Sequence, residues 1–199
     1  LTAATPSLRK LLPIIGFSRR CSLRNVSGTC FDAAYQKDHM DTSILSGIAA
    51  VVLQVSSPSF QANGNIPSRF SCEGENISPA ISIRDMPPQA QSMAIIVEDP
   101  DAPTGTVTHW IAWDMDPSGM IAEQSSAGTQ GKNTKGNNGY MGPCPPSGTH
   151  HYHFKVFALD QKLGLPAGST KEALEQAMQD HIIGSGELIG LYRKASQGL

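Results

Sequence analysis

The sequence predicts a β-rich domain, and three observations carry that expectation. Gly and Pro are abundant, 19 and 14 among 199 residues, which favours turns and irregular loops over long helices. Apolar residues come in short blocks closed by turn clusters, the pattern of strands rather than of long amphipathic helices. The length suits one domain of ordinary size with an appended segment.

Composition narrows the functional classes. A hydrophobic content of 39% supports a core, and a formal net charge of −2 gives no electrostatic case for binding nucleic acid. The longest apolar run, Ile44 to Val55, is broken by Ser46, Gly47 and Gln54. It is too short for a spanning helix of about 20 apolar residues, so no transmembrane segment is expected.

The first element in chain order differs from the rest. Residues 1–31 hold Arg9, Lys10, Arg19, Arg20 and Arg24 and no acidic residue. An Arg-rich, Ser-rich, acid-poor start is the composition of organelle transit segments. The expectation is therefore a basic N-terminal extension over residues 1–50, targeting-like or docking onto a protein partner, ahead of a domain over residues 51–199. A mitochondrial or plastid address follows from the first reading and a cytoplasmic one otherwise. From Phe31 to Leu53 a helical pattern opens with Asp32 as N-cap.

Beyond Gln54 the chain reads as strands and turns. Ala62-Asn63-Gly64-Asn65 signals a turn. Met93 to Val97 is a continuous apolar run that stops at Glu98-Asp99-Pro100, as a buried strand would. Val107 to Trp113 carries β-branched and aromatic residues and closes at Asp116-Pro117-Ser118-Gly119. Residues 128–148, with six glycines and three prolines, form a long structured loop, and such loops are often functional. Tyr152 to Leu159 alternates as a strand. Ser169 or Thr170 caps a helix whose stripe is Ala173, Leu174, Ala177 and Met178. That helix should stop near Gly184, with a last strand from Glu187 to Tyr192.

The cysteines at 21, 30, 72 and 144 contain no C-x-x-C pair, which removes zinc-ribbon and thioredoxin-like readings. Four unpaired thiols are expected, with a Cys21–Cys30 bridge as the alternative. No Walker loop and no Gly-x-Ser-x-Gly elbow is present.

Residues with chemical potential gather in two places. One is Asp99-Pro100-Asp101-Ala102-Pro103, followed by His109-Trp110. The other is Gly142-Pro143-Cys144-Pro145-Pro146-Ser147-Gly148-Thr149-His150-His151-Tyr152. Prolines fix φ and remove amide donors, so each loop is stiff enough to hold a side chain in one position. A His at a strand start is by itself an ordinary packed residue. His151 and His153 are read in that way, as strand neighbours.

Together the two stretches resemble the first and second signatures of the phosphatidylethanolamine-binding (Raf kinase inhibitor-like) family, in its bacterial and archaeal-type branch. The resemblance runs from about Val55 to Arg193 and includes Ile66-Pro67, Cys72-Glu73-Gly74, Ser78-Pro79 and Gly190-Leu191-Tyr192. It departs at His151, where the family has Arg, and at Ile83, in place of an aromatic residue. The resemblance implies a Greek-key-like β-sandwich with short peripheral helices. It also implies a small pocket for phosphate-type anions or phospholipid headgroups, serving a binding module that modulates a kinase or protease.

By that resemblance His109 and His150 face the anion, Tyr152 offers its hydroxyl, and Cys144 and Pro145 form the wall. Asp99 fixes an imidazole tautomer by accepting its N–H, and Asp101 ties its loop to backbone amides. The expected partner is a phosphate-bearing small molecule or headgroup, with no cofactor. A zinc site from these histidines and Asp99 ranks low, because His-Glu-x-x-His is absent. Phosphoester hydrolysis also ranks low, because Cys144 and Ser147 lack an assured base. The alternative to a binding module is an accessory structural subunit of an organellar assembly, docked through residues 1–50.

Overall fold

Period-two alternation in three long strands decides the architecture. The computed structural model describes residues 50–195. Its strands are β1 (Val51–Val52), β2 (Gln54–Ser56), β3 (Ile81–Arg84), β4 (Ser92–Asp99), β5 (Val107–Met115), β6 (Met120–Ile121), β7 (Thr129–Gln130), β8 (His150–Leu159) and β9 (Ile182–Tyr192). One α-helix, α1 (Lys171–Met178), precedes β9. The larger sheet has the order β1-β9-β8-β4-β5-β7 and the smaller one β2-β3-β6. The mainly β expectation holds.

Alternate residues of β4 face opposite ways. Ile95 and Val97 join Trp110, Tyr152 and Phe154 in the main core, against Ile81 and Ile83 of the smaller sheet. Ala94 and Ile96 join Ile111 and Trp113 in a second cluster, which Leu174 and Met178 of α1 cover. With both faces buried, β4 reads as an unbroken apolar run, which is why its sequence is so legible. Thr170 caps α1 by accepting from the Ala173 amide, as its side-chain type demands.

Two expectations about the ends need correction. The helical pattern over residues 31–53 lies mostly outside the described residues, and at its end Val51–Val52 is a strand, parallel to β9. α1 stops at Met178, well before Gly184, and the last strand begins at Ile182 rather than Glu187. Gly184 looks like a helix stop but is a strand residue, and at both Gly184 and Gly186 another backbone crosses closely. A Cβ on Gly186 would stand 2.2 Å from the Leu53 carbonyl oxygen. In a strand interior this close approach is what glycine permits.

The thiol expectation is also corrected. Cys72 and Cys144 form a disulfide, with Cα atoms 5.5 Å apart and a sequence separation of 72. Cys21 and Cys30 lie outside the described residues. The bridge joins the turn after the short 3-10 helix Ser68–Phe70 to the proline-rich loop before β8. Around it, the Gly142 amide donates to Asn76 Oδ1 at 2.7 Å, the Cys72 amide to the Pro143 carbonyl at 3.1 Å, and the Tyr140 hydroxyl to the Phe70 carbonyl at 2.9 Å.

Closing a loop of this length stabilises by roughly 4 kcal/mol in the chain-entropy picture, with 2–4 kcal/mol typical of measurement. Cys72→Ser should therefore lower the urea-unfolding free energy by about 2–4 kcal/mol. A loss below about 0.5 kcal/mol would mean that the hydrogen bonds alone hold the loop.

Candidate functional site

The site begins with a carboxylate that burial leaves little freedom. Asp99 ends β4 and is 3% exposed. One oxygen, Oδ1, accepts the Asp101 amide at 2.9 Å and closes the turn into the Asp99-Pro100-Asp101 segment. The other, Oδ2, accepts from Nδ1 of His150 at 2.8 Å. A buried carboxylate without such partners would cost several kcal/mol. His150 opens β8 and is itself buried. Its ring orientation is therefore set across two neighbouring strands.

His109 arrives by a different device. Along β5, Trp110 pairs with Val97 and Thr108 pairs with Glu98, and the register shifts between them. His109 is the extra residue, a β-bulge. Strict alternation from Trp110 would send His109 to the face that carries Ile111. The bulge re-aims it, as bulges beside functional sites often do. The ring stacks edge-on against Tyr152 with centroids 5.1 Å apart. Nδ1 donates to the Met141 carbonyl at 2.7 Å, and the Met141 amide donates back to the His109 carbonyl at 2.8 Å. Burial is the strongest influence on this ring and holds its pKa below the usual imidazole range. The Met141 carbonyl and the Asp99 charge oppose that shift without cancelling it.

Tyr152 follows His150 on the same face of β8. It is completely buried, and among the described residues its hydroxyl is the buried side-chain atom with no hydrogen-bond partner. Burial first, and the nearby Asp99 charge second, push its pKa well above the usual phenol range, so it keeps its proton.

These side chains line a cavity of about 310 Å³. Asp99, His109, His150, Tyr152, Cys144 and Pro145 all border it, so six of the seven residues chosen from sequence converge. Asp101 does not border it. Its carboxylate accepts from the backbone and ring N–H of His151, at 2.8 and 2.7 Å, and the ring hydrogen bond is the main cause of its lowered pKa. His153 pairs with Glu187 at 2.8 Å.

Sequence reasoning missed Lys135 and Thr134, which border the cavity from the long loop. Residues 128–148 were flagged as a functional loop, but nothing in their spacing singled out these two. Met141 was missed because it acts through its carbonyl, which leaves no side-chain signature. Among the described residues no cluster of three or more His, Cys, Asp or Glu is arranged to hold a metal. No described helix is long and apolar enough to cross a membrane.

Comparison with known proteins places this geometry. The sequence profile of the phosphatidylethanolamine-binding protein family matches residues 56–193. A UPF0098 protein of Methanothermobacter thermautotrophicus is 44% identical over 143 residues, which are 68% of this chain and 95% of the relative. Another, from Pyrococcus abyssi, is 48% identical over 140 residues, or 65% of this chain and 79% of the relative. Among solved structures, a phosphatidylethanolamine-binding protein homologue from Chlamydia trachomatis superposes with a TM-score of 0.70 at 41% identity. It covers 73% of this chain and is itself covered completely. The Escherichia coli protein YbcL superposes with a TM-score of 0.67 at 26% identity, covering 72% of this chain and 99% of its own.

These comparisons overturn the organellar address. The relatives are archaeal and bacterial proteins, from cells without mitochondria or plastids. A basic, Ser-rich composition is shared by segments with no targeting role, which is why it misled. The profile match across both motif stretches, with relatives and structures of the same kind, shows that this chain belongs to the phosphatidylethanolamine-binding protein family, in its bacterial and archaeal-type branch.

Proposed function

We propose that this domain is a binding module for small phosphate-type anions, whether free phosphorylated metabolites or the headgroup end of a phospholipid. The observation that carries this reading is the Tyr152 hydroxyl, buried without a partner at a cavity bordered by His109 and His150. A hydroxyl that no protein group engages and that borders a cavity is free to donate to a ligand oxygen. Lys135, at the exposed side of the same cavity, supplies a positive charge for an anion.

Family membership supports a binding-type protein, and the cavity's chemistry agrees with binding rather than turnover. Cys144 is held in a disulfide and offers no thiolate while bonded. Ser147 is exposed and does not border the cavity.

Two measurements test the reading. Calorimetric titration of the full chain with phosphoethanolamine at pH 6 should show binding at millimolar or lower concentration. His109→Ala should weaken it by about tenfold or more, the loss of one hydrogen bond to a charged group. No heat with the wild-type chain would sink the proposal.

Tyr152→Phe separates ligand binding from structure. Removing an unpartnered buried hydroxyl should leave stability unchanged or raise it by about 1 kcal/mol, while phosphoethanolamine affinity falls. If stability drops by more than about 1 kcal/mol and affinity is untouched, the hydroxyl has a structural partner and not a ligand.

A further inference from the structure

The Cys72–Cys144 bridge lies where the cavity wall meets the protein surface. Cys144 borders the cavity together with Pro145 and Pro146, and both cysteines are exposed. Exposed disulfides are the ones within reach of an attacking thiolate, and labile or regulatory bridges are drawn from them.

The hydrogen bonds around the bridge stop just short of it. Met141 exchanges two with His109, the Gly142 amide donates to Asn76 Oδ1, and the Pro143 carbonyl accepts from the Cys72 amide. On the other side, His150 is held by Asp99 and by its place in β8. Among the described residues no backbone hydrogen bond reaches residues 145–149. Pro145 and Pro146 have no amide to offer. Gly148 stands at a φ of +72° with nothing within 4 Å of the position a Cβ would take. Pro145 is buried, whereas Pro146, Ser147, Gly148 and Thr149 are exposed. A stretch with few hydrogen bonds and much exposure opens locally at low cost. The bridge is therefore the tether that keeps Cys144, Pro145 and Pro146 at the cavity.

We propose, resting on the anion-pocket reading above, that Cys72–Cys144 is a thiol–disulfide exchange site that gates the pocket. Its reaction partner is a dithiol reductant. One thiolate of the reductant attacks a sulfur of the bridge and forms a mixed disulfide, and the other cysteine leaves as a thiolate and takes up a proton. The reductant's second thiol then displaces the remaining cysteine. Two electrons pass to the bridge, giving two thiols, and the reductant ends as its own disulfide. The two-sheet core does not include the bridge, so the domain stays folded while residues 144–149 swing more freely. Affinity falls in proportion to the fraction of time that the wall is in place.

The test uses the full chain carrying Cys21→Ser and Cys30→Ser, so that the bridge is the sole redox centre. It is reduced with dithiothreitol, freed of reagent without air, and titrated calorimetrically with phosphoethanolamine at pH 6, where thiols exchange slowly. Circular dichroism checks the fold. The reduced chain should stay folded and bind about tenfold more weakly, and reoxidation should restore affinity. Cys72→Ser with Cys144→Ser should bind as weakly and ignore the reductant. By reciprocity, saturating phosphoethanolamine should lower the bridge's reduction potential by about 30 mV, the equivalent of that tenfold preference. Equal affinity in both redox states, a bridge that native conditions protect from dithiothreitol, or unfolding on reduction would each overturn the inference. If the oxidised chain itself fails to bind, the anion pocket falls and the inference falls with it.

Discussion

The hydrogen bond between Asp99 and His150 is the interaction on which the site depends. It joins the last residue of β4 to the first of β8, neighbouring strands in the middle of the larger sheet. Because Asp99 is buried, both of its oxygens must find donors. One finds the imidazole and the other the Asp101 amide. The first shapes the pocket, and the second closes the turn that presents Pro103. A single desolvated carboxylate thus sets both the strand register at the pocket and the course of the loop beside it.

The opposite wall is fixed by covalent and backbone means. The loop from Tyr140 to Cys144 has three prolines in or next to it, so few of its own amides can anchor it. Its anchors come from elsewhere: Asn76, the Cys72 amide, the Phe70 carbonyl and the Cys72–Cys144 disulfide. His109 is tied to the same loop through the reciprocal pair with Met141. The two sequence motifs are therefore linked in space by Asp99 with His150 and by Asp101 with His151, and His109 is tied to Met141 just before the second motif. A cavity bounded by such links holds its shape without a ligand, the preorganisation that lets a small site bind without a large ordering cost.

How much of this could be read from sequence depended on whether the signal was local. β4, β5 and β8 were legible because burial on one or both faces writes itself into residue type at period two. The capped start of α1 was legible for the same reason, since Thr170 acts on its own helix. The Cys72–Cys144 bridge was not, because no spacing rule pairs cysteines so far apart. Gly184 was misread because a glycine that ends a helix and one that admits a crossing backbone look alike in sequence. Pocket membership came from the family motifs, whereas the reason His109 points inward did not. A bulge is a property of two paired strands and leaves no mark in either one.

The account's central claim is that both pocket imidazoles carry a proton at Nδ1, His109 against the Met141 carbonyl and His150 against Asp99. Nitrogen-15 NMR of the ligand-free chain tests it most directly, because ring-nitrogen shifts and two-bond couplings distinguish the tautomers from each other and from imidazolium. At pH 7.5 both rings should show a protonated Nδ1, and His109, whose burial disfavours the charged form, should also show a bare Nε2. His109 should remain neutral below the ordinary imidazole pKa of about 6.5. An Nε2–H tautomer at either ring, or an imidazolium at His109 in neutral solution, would contradict the account.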